Sequence, residues 1–141
     1  MKYHFKVHKE KKGYWADCIE LEGCQTQADS LVQLQSNMEK ALNLFLEEPE
    51  DSKTTFPFPK KVAKGSNIVS IPVNPRVAFA FYLRSLRLKY KLTQKEAAKR
   101  LGMLRVYSYQ RLESSKTANP ELNTLAKLKS VFPEFNLQMI I

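Results

Sequence analysis

Cysteine is scarce: the 141-residue chain has two, Cys18 and Cys24. Two thiols are too few for a disulfide framework or a four-cysteine zinc site. Long apolar runs are missing as well. No stretch approaches the roughly 20 residues that cross a bilayer. The opening MKYHFKVHKEKKGYW alternates apolar and polar residues, where a secretory signal would be continuously apolar. A membrane is not an expected partner, and the cytoplasm is the expected compartment. Arginine is absent before Arg76, and acidic residues thin out after it. Through residue 64, ten lysines balance ten Asp and Glu. From residue 65 onward, thirteen Lys and Arg face four Glu, so the formal net charge of +9 lies entirely in the C-terminal half. Such asymmetry points to a polyanion partner for one half only. Hydrophobic residues are 43% and charged residues 26%, ordinary globular usage that argues against wholesale disorder.

Periodicity sets out the order of elements. Tyr3, Phe5 and Val7 alternate with His4, Lys6 and His8, which predicts a strand over 2–8. The polar turn 9–13 ends in Gly13, and a second strand over 14–21 makes a hairpin. Residues 22–26 lead away from it. Ser30 is placed to N-cap a helix, with Gln33 completing a capping box. Leu31, Leu34, Met38, Leu42 and Phe45 give that helix one apolar face, and Pro49 ends it. Residues 47–67, charged and rich in Pro and Ser, read as a linker. The β-branched run 68–73 reads as a strand, at an edge because Pro72 has no N–H to donate.

From Asn74 the texture turns helical. Asn74-Pro75 is a cap followed by proline at the first helical position. Phe79, Leu83, Leu86 and Tyr90 mark a buried face. Thr93 N-caps a second helix, with Glu96 at the reciprocal position, and Gly102 supplies a turn. A third helix covers 105–114. A fourth starts at Asn119-Pro120, with Leu122, Leu125 and Leu128 on one face. Alternation over Phe135–Ile141 predicts a short final strand, and two such strands paired antiparallel would join two copies of the chain. The fold class is thus α+β. An antiparallel sheet with one helix, over 1–73 with a linker at about 47–67, precedes an all-α helix-turn-helix domain over 74–141 with a short C-terminal strand.

The stretch Thr93–Glu113 carries the sharpest signal. It resembles the Cro/C1-type (Xre) DNA-binding family through Thr93-Gln94, Ala97-Ala98, Leu101-Gly102 and Leu112-Glu113, over about residues 78–132. The spacing from Gly102 to Glu113 is one residue longer than in most members. Double-stranded operator DNA is the expected partner. Gln94 opens the first helix of the motif, where a phosphate can be gripped. Arg105, Val106 and Tyr107 open the second helix, the end that meets base edges, and Gln110 follows one turn on. Arg can pair with guanine and Gln with adenine. Lys95, Arg111 and Lys116 are suited to phosphate.

The N-terminal half resembles the HicB antitoxin family through Gly13-Tyr14-Trp15, Leu21, Gly23-Cys24, Thr26-Gln27 and Asp29-Ser30-Leu31. The Tyr109–Glu113 stretch and its longer spacing look like the helix-turn-helix form of that family. Ile19 and Glu22 stand where the pattern has prolines. The resemblance implies a partial RNase H-like domain that binds and neutralises a small HicA-like mRNA-cleaving toxin, and a second domain that represses the shared promoter. A helix-turn-helix module gains half-site spacing from a two-fold dimer, so a homodimer or higher homo-oligomer is expected, and no catalytic residue, metal or cofactor is expected. The alternatives are a stand-alone Xre-type regulator with a ligand-sensing N-terminal domain, and an RNase H-like nuclease.

Several residues invite other chemistry. A nuclease site needs several carboxylates converging on metal ions. Asp17 and Glu20 would fall on opposite faces of a regular strand, and Asp29 at a helix start, so these acids read as solvated or structural. His4 and His8 share a strand face about 13 Å apart, too far for one ion, and read as exposed imidazoles. Cys24 reads as a half-buried thiol. One ring of Tyr14 and Trp15 is expected in the core. Phe56–Lys61 reads as a linker clamped onto the sheet.

Overall fold

Tyr3 and Phe5 are fully buried while Lys2 and Lys6 are exposed, so the alternation that predicts the first strand also sets which face of it is covered. The computed structural model describes residues 1–62 and 64–141, Ala63 lying outside the described residues. The chain divides into two compact units, Met1–Leu46 with Phe56–Asn74, and Glu47–Thr55 with Pro75–Ile141.

In the first unit, β1 (Lys2–Lys9) and β2 (Tyr14–Cys18) form an antiparallel hairpin, with Phe5 opposite Cys18 and Val7 opposite Ala16. Gly13 closes the turn at φ +87°, and a Cβ there would stand 2.6 Å from the Ala28 carbonyl oxygen. Only glycine satisfies both conditions. The second strand stops at Cys18, short of the expected Leu21. The chain then turns back as β3 (Gln25–Ala28), paired with β2, where the sequence suggested only a lead-out. Gln-Thr-Gln-Ala carries no apolar alternation. It is a strand because its backbone has a neighbour to pair with.

Helix α1 (Leu31–Leu46) lies against the sheet on Leu34, Met38, Leu42 and Leu46. Leu31, expected on that face, is exposed. The Ser30 hydroxyl accepts from the Gln33 N–H, but the Gln33 side chain bonds Asn37, so the reciprocal half of the capping box is absent. β4 (Ile68–Pro72) pairs with β1, giving the order β3-β2-β1-β4, and Pro72 stands on an edge as its missing donor requires. The anticipated linker is divided. Phe56 packs on Phe45 at 5.2 Å between ring centroids, Tyr3 donates to the Pro57 carbonyl, and the Lys60 N–H donates to Glu20. Residues 47–55 count with the second unit, where Arg84 donates to the Thr54 carbonyl.

The second unit is built on α2 (Pro75–Lys89), buried without a break from Val77 to Arg84. Around it come α3 (Gln94–Arg100), α4 (Val106–Leu112) and α5 (Leu122–Val131). The last helix starts two residues beyond Asn119-Pro120. Leu122 is exposed and Leu125 half-buried, leaving Leu128 as its buried leucine. Spacings of three spread these leucines over about 120° around the axis, and Leu122, the first helical residue, falls at the exposed end of that arc.

The C-terminal run is not a strand. Leu137–Met139 is a turn of 3₁₀ helix, capped by the Asn136 side chain on the Gln138 N–H. Phe135 packs on Phe79 and Tyr82, and Ile140 is buried, while Leu137, Met139 and Ile141 are exposed. The period-two pattern is overridden by one aromatic anchor and a local cap, and the expected antiparallel strand joint between two copies is removed with it.

Candidate nucleic-acid interface

The α3–α4 pair is assembled from local signals. The Thr93 hydroxyl accepts from the Glu96 N–H, and the Glu96 carboxylate accepts from the Thr93 N–H. The Thr93 N–H, and after it the Thr93 hydroxyl, hold the Glu96 carboxyl below its ordinary pKa. Ala97 and Ala98 are buried, small enough to let the helices cross closely. Gly102 takes φ +71° after the last turn of α3, a conformation side chains with a Cβ avoid. Tyr109 and Leu112 fix the inner face of α4.

A buried polar frame sits beneath. Arg87 donates through two nitrogens to both oxygens of Glu113, and through Nη1 to the Leu92 carbonyl at 2.9 Å. Burial lowers the Arg87 pKa, but the hydrogen bond to Glu113 and its charge outweigh burial and raise it. Gln94 donates to Glu113 at 3.4 Å, and Gln110 donates to Gln94 at 3.2 Å. This chain ties α2, α3 and α4 into one frame.

That frame separates the candidate DNA-contacting residues. Lys95, Arg105, Val106, Tyr107, Arg111 and Lys116 are exposed. Arg111 lies over the Tyr107 ring, 5.9 Å from its centroid. Gln94 is buried and Gln110 half-buried, with their amides bonded to the frame. These two glutamines hold the helices together: the buried amide of Gln94 is turned inward, away from the phosphate contact expected of it, while Gln110 is half-buried and donates one bond to Gln94. Two cations not singled out from the sequence, Lys53 and Lys91, line an open cleft with Thr93, Lys95 and Val106. No pattern in the sequence could bring Lys53 there, because it lies in the apparent linker. Leu104 is also new: it stands fully exposed in the turn ahead of α4.

In the sheet unit the suspected reactive groups are occupied. His8 Nε2 is 2.7 Å from Asp17 Oδ1, and the imidazole stacks on Trp15 at 3.9 Å. His4 Nδ1 is 2.8 Å from Glu20 Oε2, and the His4 N–H donates to Oε1 of the same carboxylate. Both imidazoles, expected to be exposed, are partly covered, and Glu20 is buried. Tyr14 and Trp15 are both half-buried, so neither ring is the expected core residue. Cys18 and Cys24 are free and buried, Cys24 more deeply than expected. A hydrogen bond between the two thiols lowers the Cys18 pKa against the effect of burial and raises that of Cys24. Among the described residues, no three His, Cys, Asp or Glu side chains gather to hold an ion, and no helix is long and apolar enough to cross a membrane.

The helix-turn-helix family model, of the Cro/C1 type, matches residues 83–134. No curated protein matches the chain.

Proposed function

We propose that the chain is an antitoxin and repressor without catalytic activity of its own. Its helix-turn-helix unit binds operator DNA, and its sheet unit binds and silences a small HicA-like ribonuclease. The observation that carries the DNA half is the segregation on α3 and α4. Apolar side chains and the Arg87–Glu113 pair are turned inward, while Lys95, Arg105, Val106, Tyr107, Arg111 and Lys116 are left outward on a matched helix-turn-helix. The start of α4 is the end that meets base edges in this motif, and the lysines serve phosphate. Lys53 and Lys91 extend that phosphate-binding set.

The antitoxin half rests on the likeness of Gly13-Tyr14-Trp15, Gly23-Cys24 and Asp29-Ser30-Leu31 to the HicB pattern. The pairing of Asp17 and Glu20 with histidines also supports it, since these acids serve the sheet and not a metal centre. Two copies of the chain present paired recognition helices to a two-fold operator. Expressing the full chain with the protein encoded beside it tests the assignment. A stable complex, with the neighbour's RNA cleavage and growth arrest abolished, is the expected result. No complex and unrelieved toxicity would defeat the antitoxin half. Absence of sequence-selective retardation of the promoter fragment would defeat the repressor half.

A further inference from the structure

We propose that Leu104 reads a thymine methyl group in the major groove, making it a specificity-determining residue of the DNA interface; the inference rests on the DNA-binding role proposed above. Leu104 is fully exposed, in the turn between Gly102 and the first residue of α4. The next residue, Arg105, is extended at φ −128° and ψ 138°. Leu104 and Val106 are the exposed apolar prong at the entry to α4, and Arg105 is exposed between them. Tyr107, 58% exposed, continues the apolar surface along α4.

The surroundings select the occupant. Residues 91–116 carry seven Lys and Arg. Their two acids are Glu113, buried on Arg87, and Glu96, bonded at the helix cap. An apolar prong in so cationic a field is complementary to a polyanion that itself bears an apolar group. In the major groove that group is the C5-methyl of thymine, the feature that apolar side chains contact there. Guanine and cytosine offer the prong only hydrogen-bonding edges, which it would strip of water without replacement.

Uracil keeps every hydrogen-bonding group of thymine and lacks the methyl, so it isolates the contact. Binding sites are selected by the full chain from a random duplex library, once with thymine and once with deoxyuridine in its place. From the thymine library the chain is expected to enrich a site with a thymine in each half. Deoxyuridine at that position should cost about fourfold in affinity, the worth of one buried methyl-sized group. Leu104→Ala, which alters no buried contact, should bind the thymine and uracil sites equally while still preferring them to random DNA. A wild-type site indifferent to uracil would overturn the inference. So would a Leu104→Ala variant that keeps the full thymine preference. Enrichment of no sequence from either library would instead defeat the DNA-binding role, and this inference with it.

Discussion

Arg87 and Glu113 are withdrawn from water together, and each satisfies the other through two hydrogen bonds. Removing one partner strands the other charge, a loss of about 3–5 kcal/mol in proteins generally. Arg87→Met or Glu113→Leu alone is expected to cost about that much in urea denaturation. The double variant Arg87→Met/Glu113→Leu should recover most of it, because burying two apolar side chains carries no charge penalty. The neighbouring Tyr109 hydroxyl behaves differently. It is buried beside the pair without a well-formed hydrogen bond, and burial, then the Glu113 charge, pushes its pKa far up. Tyr109→Phe discards a polar atom that has no good partner. Its unfolding free energy should stay within about 1 kcal/mol of the parent or rise. A loss above about 2 kcal/mol would show that the hydroxyl is bonded after all.

Helix α3 depends on its two ends. At the C-terminal end, Gly102 has open space where a Cβ would stand, so a substitution there meets backbone strain alone. Gly102→Ala is expected to cost about 1–2 kcal/mol, and Gly102→Asn less, since asparagine tolerates the left-handed region better. Equal losses would mean that contacts and not backbone conformation set the cost. At the N-terminal end, the carboxylate of Glu96 is stabilised by the Thr93 N–H and hydroxyl, so its folded pKa lies below its unfolded one. The capping contribution is therefore complete above the ordinary carboxylate range and is lost as pH falls through the depressed folded value. Glu96→Gln should flatten the acid limb of a stability-against-pH curve and leave the neutral-to-basic limb parallel to the parent. An unchanged acid limb would show that the cap carries no linkage.

Charge is a property of the entire chain. The +9 excess falls in the helical half, and Lys95, Arg105, Arg111 and Lys116 are among the outward cations on or beside α3 and α4. A lysine on a phosphate releases about one counterion when it binds, so each one removed should reduce the slope of log affinity against log salt by about 0.9. Lys95→Ala and Lys116→Ala are expected to do this while weakening operator and random DNA alike. Arg105→Ala is expected to narrow the gap between operator and random DNA. If Arg105→Ala leaves that gap intact, base reading belongs elsewhere on α4. The C-terminal run is excluded as a strand-pairing joint between copies of the chain. Phe135 and Ile140 are buried within their own unit, and Leu137–Met139 between them is a 3₁₀ turn.

Short-range devices were legible in the sequence because their partners lie within four residues. Thr93 and Glu96 form the capping box that their spacing predicts, Gly102 takes the left-handed turn, and Pro72 falls on an edge. The hairpin and the amphipathic α1 follow from periods of two and 3.6, which chain geometry imposes before any tertiary contact forms. Apart from Gln33, which bonds Asn37 one turn on in place of the expected cap, the outcomes that differ have distant partners. Gln25–Ala28 is a strand because β2 lies beside it, not because of its side chains. Gln94 faces inward because Glu113, nineteen residues on, offers an acceptor where a phosphate was expected. Phe135 abandons alternation for the rings of Phe79 and Tyr82, more than fifty residues earlier. Lys53 joins the cleft beside α3 from a stretch whose composition announces only a linker. Side-chain type and spacing therefore determined most of the elements and the motif. Long-range hydrogen bonds and ring packing, which no local pattern encodes, decided which of the motif's side chains remain free to touch DNA.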